Sequence, residues 1–196
     1  TKFPIIDAFL SVPREKFVPD GKREAAYIGE NFQIGQSRII LEPRTLAKLL
    51  DALDIHNDEL VLDIGSGLGY SSAIISLIAE VVIAVEDDSS LASESEEILS
   101  EIGVDNVVVQ IGKLEDGAPE HGPYDVIILQ GGVGDIPGSI LNQLKNGGRI
   151  GAIFIEEGLG TAKIGFKVNN KITWRYSFNA AAPILPGFSK QKDFVL

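Results

Sequence analysis

The chain has 196 residues, of which 44% are hydrophobic and 23% charged, a composition typical of a globular protein large enough to bury its own core. Its 28 acidic and 17 basic side chains give a formal net charge of −11, so we expect no nucleic acid and no membrane surface as a partner. It contains no cysteine, which excludes disulfides and thiolate catalysis, and without a charged-then-apolar leader we expect a cytoplasmic location.

The pattern of apolar residues divides the chain into two parts. Residues 1–55 read as helices and loops without a clear strand, punctuated by Pro13, Pro19 and Pro43. From Leu60 onward, short apolar runs alternate with helical stretches, which predicts a parallel sheet covered by helices. The last two runs flank Asn169-Asn170, a pair that suits a tight antiparallel hairpin. We therefore expect a single domain over residues 1–196, with an α/β core at 56–196.

The stretch LVLDIGSGLGYSSA, from Leu60 to Ala73, resembles a strand, a glycine-rich turn and the start of a helix. Glycines at 65, 67 and 69 let the backbone turn sharply and approach a ligand without an intervening Cβ. Glu86 ends the next apolar run, 21 residues after Gly65, where a carboxylate can accept hydrogen bonds from a ribose diol. The pattern predicts an adenosine ligand beside Gly67 and Glu86, although such glycines can also form a turn that binds nothing.

Two features favour S-adenosylmethionine over NAD as that ligand. The dinucleotide motif requires Gly or Ala three residues after its second glycine, whereas this chain has Tyr70 there. The pattern also shows no second domain after the sheet to bind a hydride acceptor. We assign Asp63 and Ser66, with the three glycines and Glu86, to cofactor binding.

Several segments together resemble the protein-L-isoaspartate O-methyltransferases over nearly the whole chain. The most specific are VPREKFVP at 12–19 and AYIGENFQIGQ at 26–36, followed by the dipeptide Glu42-Pro43 and the glycine-rich turn. The resemblance implies a Rossmann-like class I methyltransferase fold, a seven-stranded and mostly parallel sheet with a C-terminal antiparallel hairpin and a helical N-terminal segment on the substrate side. It implies S-adenosylmethionine as cofactor and carboxyl methylation of isoaspartyl residues in damaged proteins or peptides, a protein-repair reaction.

The chain departs from this family at two polar positions. Ile39 and Leu41 stand where the family has a Thr and a Ser before the proline, and Gly112 is followed by Lys113 where the family has an Asp that accepts from the adenine. The resemblance adds Gly112 and Lys113 to the cofactor-binding residues, but a lysine cannot accept that hydrogen bond. Either Glu115 or Asp116 is the alternative acceptor, or both belong to a solvated acidic loop. We place the candidate substrate contacts in two segments, at Ser37, Arg38, Ile39 and Leu41 and at Gln130-Gly131-Gly132.

These departures leave alternatives to isoaspartyl methylation open. One is a methyltransferase with a different, more apolar small-molecule acceptor, and the other is a non-catalytic relative that still binds S-adenosylmethionine. No metal site is expected, because His56 and His121 lie in polar turns without metal-ligand spacing. The acidic run that follows Glu86 predicts an exposed helix capped by Asp88 or Ser89, and Trp174 is expected to pack on an edge strand.

Overall fold

A computed structural model describes residues 2–190 of the chain. The N-terminal part contains two helices, two short 3-10 helices and a small hairpin, in the order α1 (Phe3–Ser11), Arg14–Phe17, Asp20–Ala25, β1 (Phe32–Gly35), β2 (Arg38–Ile40) and α2 (Pro43–Leu53). The expectation of no strand in this part was wrong. The two strands are only four and three residues long, too short for their alternation to be recognised against the surrounding loops.

A seven-stranded sheet forms the rest of the protein, in the spatial order β5-β4-β3-β6-β7-β8-β9. Its strands are β3 (Leu60–Ile64), β4 (Val81–Glu86), β5 (Val107–Ile111), β6 (Tyr124–Val133), β7 (Leu144–Glu156), β8 (Leu159–Val168) and β9 (Lys171–Asn179). The connecting helices are α3 (Tyr70–Ser76), α4 (Ser89–Glu101) and α5 (Gly138–Asn142). β3 to β7 pair in parallel, and β8 and β9 add antiparallel strands at the edge. The predicted fold class is confirmed.

The sheet is buried on both faces because helices and loops cover each side of it. Val61 and Leu62 of β3 point to opposite faces and are both fully buried, each in a different hydrophobic cluster. α2 contributes to the first cluster with residues spaced three or four apart, which form one face of the helix. These are Leu46, Leu49, Leu50 and Leu53.

Local details of the edge and of α4 agree with the sequence. Asn169 and Asn170 have φ angles of +50° and +61° and connect β8 to β9, as the hairpin prediction requires. Asp88 caps α4 by accepting from two backbone N–H groups. Trp174 packs edge-to-face on Phe154 with ring centroids 4.8 Å apart.

The strand order brings the carboxyl ends of β3, β4 and β6 together. From β3 the chain continues outward to β4 on one side, and on the other side β3 is paired with β6. Open α/β sheets bind ligands at this kind of switch point. Gly65, Glu86 and Gln130 therefore meet at one edge of the sheet. Among residues 2–190, no helix is long and apolar enough to cross a membrane.

Shortening Leu53 should destabilise the protein strongly. Its side chain is fully buried at the end of α2, and Leu53→Ala should lower the free energy of unfolding by about 2–5 kcal/mol, since it leaves a cavity in a packed core. Leu77→Ala is the matched control, because Leu77 is 54% exposed, and it should cost less than about 1 kcal/mol. Urea unfolding curves measure both. Equal losses for the two variants would contradict this assignment of the core.

Candidate functional site

The glycine-rich turn joins β3 to α3 at the edge of the sheet. Gly65 and Gly67 have φ angles of +79° and +58°, in the left-handed region that other residues rarely adopt. The N–H of Gly65 donates to the carbonyl of Val85 at 2.8 Å, which anchors the turn to β4. Gly69 then caps α3. The turn has the sharp geometry that its glycine spacing predicts.

The carboxylate of Glu86 is fully buried at the end of β4. Its Oε2 accepts a hydrogen bond from the N–H of Gly67 at 2.7 Å. Its Oε1 accepts from the N–H groups of Asp87 and Asp88, at 3.0 and 3.1 Å. These backbone donors hold the charge against the glycine-rich turn, since a buried carboxylate without partners would be very costly.

Arg38 places its guanidinium on the same carboxylate. Its Nε donates to Glu86 Oε1 at 3.3 Å, and its Nη2 pairs with Glu86 Oε2. The same Nε lies 3.6 Å from Asp87 Oδ1. The side chain is 5% exposed, and its Nη1 is buried without a hydrogen-bond partner among the residues that the structure describes. The sequence analysis names Arg38 as a candidate substrate contact, but in this structure its guanidinium contacts Glu86.

Asp63 lies inside β3 and is held by side chains of the core. Its Oδ2 accepts from the hydroxyls of Ser71 and Ser72 at 2.6 and 2.7 Å, and its Oδ1 accepts from Gln130 Nε2 at 2.7 Å. Burial raises the pKa of Asp63 above its usual value, and these hydrogen bonds oppose that rise. Both oxygens therefore serve to join β3, α3 and β6.

Ile39 and Leu41 belong to the protein interior. They are 8% and 2% exposed and line a cavity of about 10 Å³, room for roughly one water molecule. The other lining residues are Ile40, Leu46, Ser66, Tyr70, Ser71 and Gln130. The hydroxyl of Ser66 is buried and has no hydrogen-bond partner within residues 2–190. Positions 39 and 41 thus present hydrocarbon, and a hydroxyl without a partner lies nearby.

The remaining predicted residues lie around this centre. The N–H of Gly112 donates to the carbonyl of Glu86 at 3.0 Å, which places Gly112 beside the end of β4. Lys113 is exposed and precedes the 3-10 helix Leu114–Asp116. Glu115 is half-buried, with its carboxylate against Gly187. Ser37 lies in the turn between β1 and β2, with a φ angle of +58°.

Residues 180–190 cross the carboxyl edge of the sheet beside β6, which the sequence analysis did not anticipate. The N–H of Gly132 donates to this segment at 2.7 Å, and its carbonyl accepts from the N–H of Leu185 at 2.9 Å. A Cβ built on Gly65 would lie 3.3 Å from Leu185 Cδ2. The segment therefore covers Gly131 and Gly132, the second group of candidate substrate contacts. The apolar run PILPGF after the last strand was the available sequence signal.

Arg14 is a second buried cation that sequence reasoning missed. Its Nε donates to the carbonyl of Ala26 at 2.8 Å and its Nη2 to the carbonyl of Leu41 at 3.0 Å. The guanidinium carbon lies 4.6 Å from the centroid of the Tyr70 ring, which is within the range of a cation–π contact. Arg14 therefore ties the N-terminal segment to Leu41, the residue after β2, and to Tyr70, the first residue of α3.

Comparison with known proteins identifies the family. The sequence model of the protein-L-isoaspartate(D-aspartate) O-methyltransferase family matches residues 2–170. This chain belongs to that family. It is 37% identical over 146 residues to the protein-L-isoaspartate O-methyltransferase of Syntrophus aciditrophicus, and 38% identical over 144 residues to that of Dictyoglomus turgidum.

The matched regions cover 74% of this chain in both cases, and 67% and 66% of the two protein-L-isoaspartate O-methyltransferases. The chain thus spans about two thirds of the length of these curated relatives. Solved structures show the same fold. One protein-L-isoaspartate O-methyltransferase superposes with a TM-score of 0.84 at 24% identity, covering 95% of this chain and 62% of its own.

A second solved structure is that of a protein from Plasmodium falciparum assigned as a protein-L-isoaspartate O-methyltransferase, in complex with S-adenosyl-L-homocysteine. It superposes with a TM-score of 0.82 at 20% identity, over 94% of this chain and 90% of its own. At these identities the two structures show the fold alone, and the family assignment rests on the sequence matches.

Asp87 should make stability depend on pH near the site. Partial desolvation of Asp87, whose side chain is still 30% exposed, and after it the neighbouring carboxylate of Glu86 raise the pKa of Asp87 from 3.8 to about 6, against the lowering effect of Arg38. The folded protein therefore binds a proton that the unfolded chain releases, and the contribution of Asp87 to stability falls as pH rises through about 6. Asp87→Asn should become more stable relative to wild type as pH rises from about 4 to about 7.

Urea unfolding at a series of pH values measures this difference. Asp105→Asn is the matched control, because Asp105 is exposed and the substitution removes the same charge. A stability difference for Asp87→Asn that stays constant across the pH range would contradict the raised pKa.

Proposed function

We propose that this chain binds S-adenosylmethionine at the glycine-rich turn and transfers its methyl group to isoaspartyl carboxylates of damaged proteins or peptides. The observation that carries the cofactor site is the buried carboxylate of Glu86, which accepts the N–H of Gly67 at 2.7 Å. A carboxylate at the end of the second parallel strand, beside a glycine-rich turn, is suited to a ribose diol. Membership of the protein-L-isoaspartate O-methyltransferase family supports the reaction.

Several features of the site fit such a cofactor. Gly65 and Gly67 turn the chain in left-handed conformations and place no Cβ of their own beside Glu86, and the hydroxyl of Ser66 is a buried group without a partner in the described chain. Lys113 fits less well, because it is exposed and offers no acceptor to an adenine amino group. Glu115 and Asp116 are the nearest acidic residues in sequence to take that role.

The reaction makes modest chemical demands on the protein. The cofactor supplies an electrophilic methyl group, and the chain must align the acceptor with it and exclude water. A carboxylate acceptor with a pKa of roughly 4 is ionised at neutral pH, so it needs no general base. The buried side chains of Ile39, Leu41 and Tyr70 provide the water-excluding wall on this side of the turn.

That wall favours a second candidate acceptor. An isoaspartyl carboxylate that enters an apolar pocket loses its water hydrogen bonds and needs donors in their place, yet the side chains of Ile39 and Leu41 have none. A more apolar small molecule would suit them better. The cavity between these residues and Ser66 has a volume of only about 10 Å³, room for roughly one water molecule and not for a methyl acceptor. This favours the remaining alternative, a relative that binds the cofactor without turnover. Methyl transfer assays distinguish the three.

The direct test uses methyl-labelled S-adenosylmethionine with a peptide that contains one isoaspartyl residue. We expect base-labile label on that peptide and none on the same sequence with ordinary aspartate. Glu86→Gln should weaken the binding of S-adenosylhomocysteine by about 1–3 kcal/mol, because the ribose loses a charged acceptor. Calorimetry measures this at a temperature where the variant remains folded.

Glu97→Gln is the control, since it removes an exposed charge from α4 and should leave the affinity unchanged. Binding without label transfer to the peptide would favour another acceptor or a non-catalytic relative, and failure to bind the cofactor at all would refute the proposed site.

Restoring hydroxyls to the wall should improve activity on the isoaspartyl peptide. Ile39→Thr combined with Leu41→Ser should raise kcat/KM for the peptide about tenfold or more, because one charge-assisted hydrogen bond contributes about 1.5–3 kcal/mol. The assay is run at saturating cofactor so that the peptide step alone is compared. Leu46→Ser is the control, since it adds a hydroxyl at another lining position. Rapid turnover by wild type that the double substitution leaves unchanged would show that other donors bind the carboxylate.

A further inference from the structure

Arg38 fills the acceptor positions that a bound ribose would need. Glu86 receives three backbone N–H groups and, in addition, two guanidinium nitrogens of Arg38. A carboxylate offers about four lone-pair positions. With Arg38 in place, these positions are all used, and no oxygen of Glu86 is left to accept from a sugar hydroxyl.

The same guanidinium also occupies the space that a glycine keeps open. A Cβ built on Gly65 would lie 2.8 Å from Arg38 Nη1, so the cation lies directly on the turn where a ligand would approach the backbone. Leu185 covers the same glycine from the other side, with its Cδ2 3.3 Å from that Cβ position. The buried Nη1 has no hydrogen-bond partner within residues 2–190, so it packs against Gly65 without a hydrogen bond.

We propose that Arg38 is a gate of the cofactor cleft, whose ion pair with Glu86 and the binding of a ribose at Glu86 exclude each other. The inference rests on the proposed cofactor site and adds to it an internal competitor. Cofactor binds only the fraction of molecules in which Arg38 has left Glu86. The apparent dissociation constant is therefore raised by the reciprocal of that fraction.

The structure allows Arg38 to leave without stranding the carboxylate. Glu86 keeps its backbone donors from Gly67, Asp87 and Asp88 when the guanidinium moves, so the charge stays satisfied and gains a free lone pair for a hydroxyl. Arg38 begins the three-residue strand β2, directly after Ser37 in its left-handed conformation. Such a conformation is costly for serine, so a change of this turn is one route by which Arg38 can leave Glu86.

The test measures binding of S-adenosylhomocysteine to the full chain by calorimetry and stopped flow. Arg38→Ala should tighten the dissociation constant tenfold or more, because the competitor is removed. Arg38→Lys, which keeps a cation but loses the two-nitrogen contact, should give a smaller gain. Arg175→Ala is the matched control, since it removes an exposed arginine from β9 and should change the constant less than twofold. The gain should appear in the association rate constant, because the gate opens before binding.

Three results would count against the gate. A dissociation constant for Arg38→Ala within twofold of wild type, or weaker, overturns it and leaves the cofactor site intact. If Arg38→Ala does not fold, as judged by thermal unfolding, Arg38→Lys decides in the same way, and an affinity equal to wild type overturns the gate. If neither wild type nor any folded variant binds S-adenosylhomocysteine at millimolar concentration, the proposed cofactor site fails and the gate fails with it.

Discussion

One buried charge constrains the whole carboxyl edge of the sheet. The carboxylate of Glu86 has no exposure to water, and a buried ion without partners is among the most costly features a fold can contain. The backbone N–H groups of Gly67, in the glycine-rich turn, and of Asp87 and Asp88, just before α4, donate hydrogen bonds to it. The left-handed conformations of Gly65 and Gly67 are part of this solution, because they aim one of those N–H groups at the carboxylate.

Two buried arginines fix the N-terminal segment onto that edge. Arg14 holds the carbonyl of Leu41 and lies over the ring of Tyr70, while Arg38 holds Glu86 at the other end of the same strand region. Arg38 and Arg14 therefore hold the segment from Arg38 to Leu41 at its two ends, with Ile39 between them. In a protein with a net charge of −11, these two positive side chains have a structural role that the overall charge does not suggest, because burial strengthens the local contacts of a cation.

The features that the sequence predicted are local, whereas those that it missed join residues far apart in the chain. The strand Leu60–Ile64, the turn at Gly65 and the hairpin at Asn169 are local, so their signals lie within a few neighbouring residues. The pair of Arg38 and Glu86 joins residues 48 positions apart, and such a contact leaves no mark in periodicity or motif spacing. The apolar run PILPGF indicates that residues 180–190 are partly buried, but nothing in the sequence indicates that they cover Gly131.

The apolar departures at Ile39 and Leu41 stabilise the same conformation as the ion pair of Arg38 with Glu86. Ile39 and Leu41 are buried in the arrangement where Arg38 contacts Glu86, and burying such a side chain contributes about 1.5–3 kcal/mol relative to leaving it exposed. Hydroxyl-bearing residues at these two positions would contribute much less to the stability of this conformation. The apolar wall and the ion pair thus stabilise the same conformation, one by hydrophobic burial and the other by charge. If the proposed gate is right, a ribose at Glu86 replaces the hydrogen bonds of Arg38 and leaves the burial of Ile39 and Leu41 as a separate stabilising term.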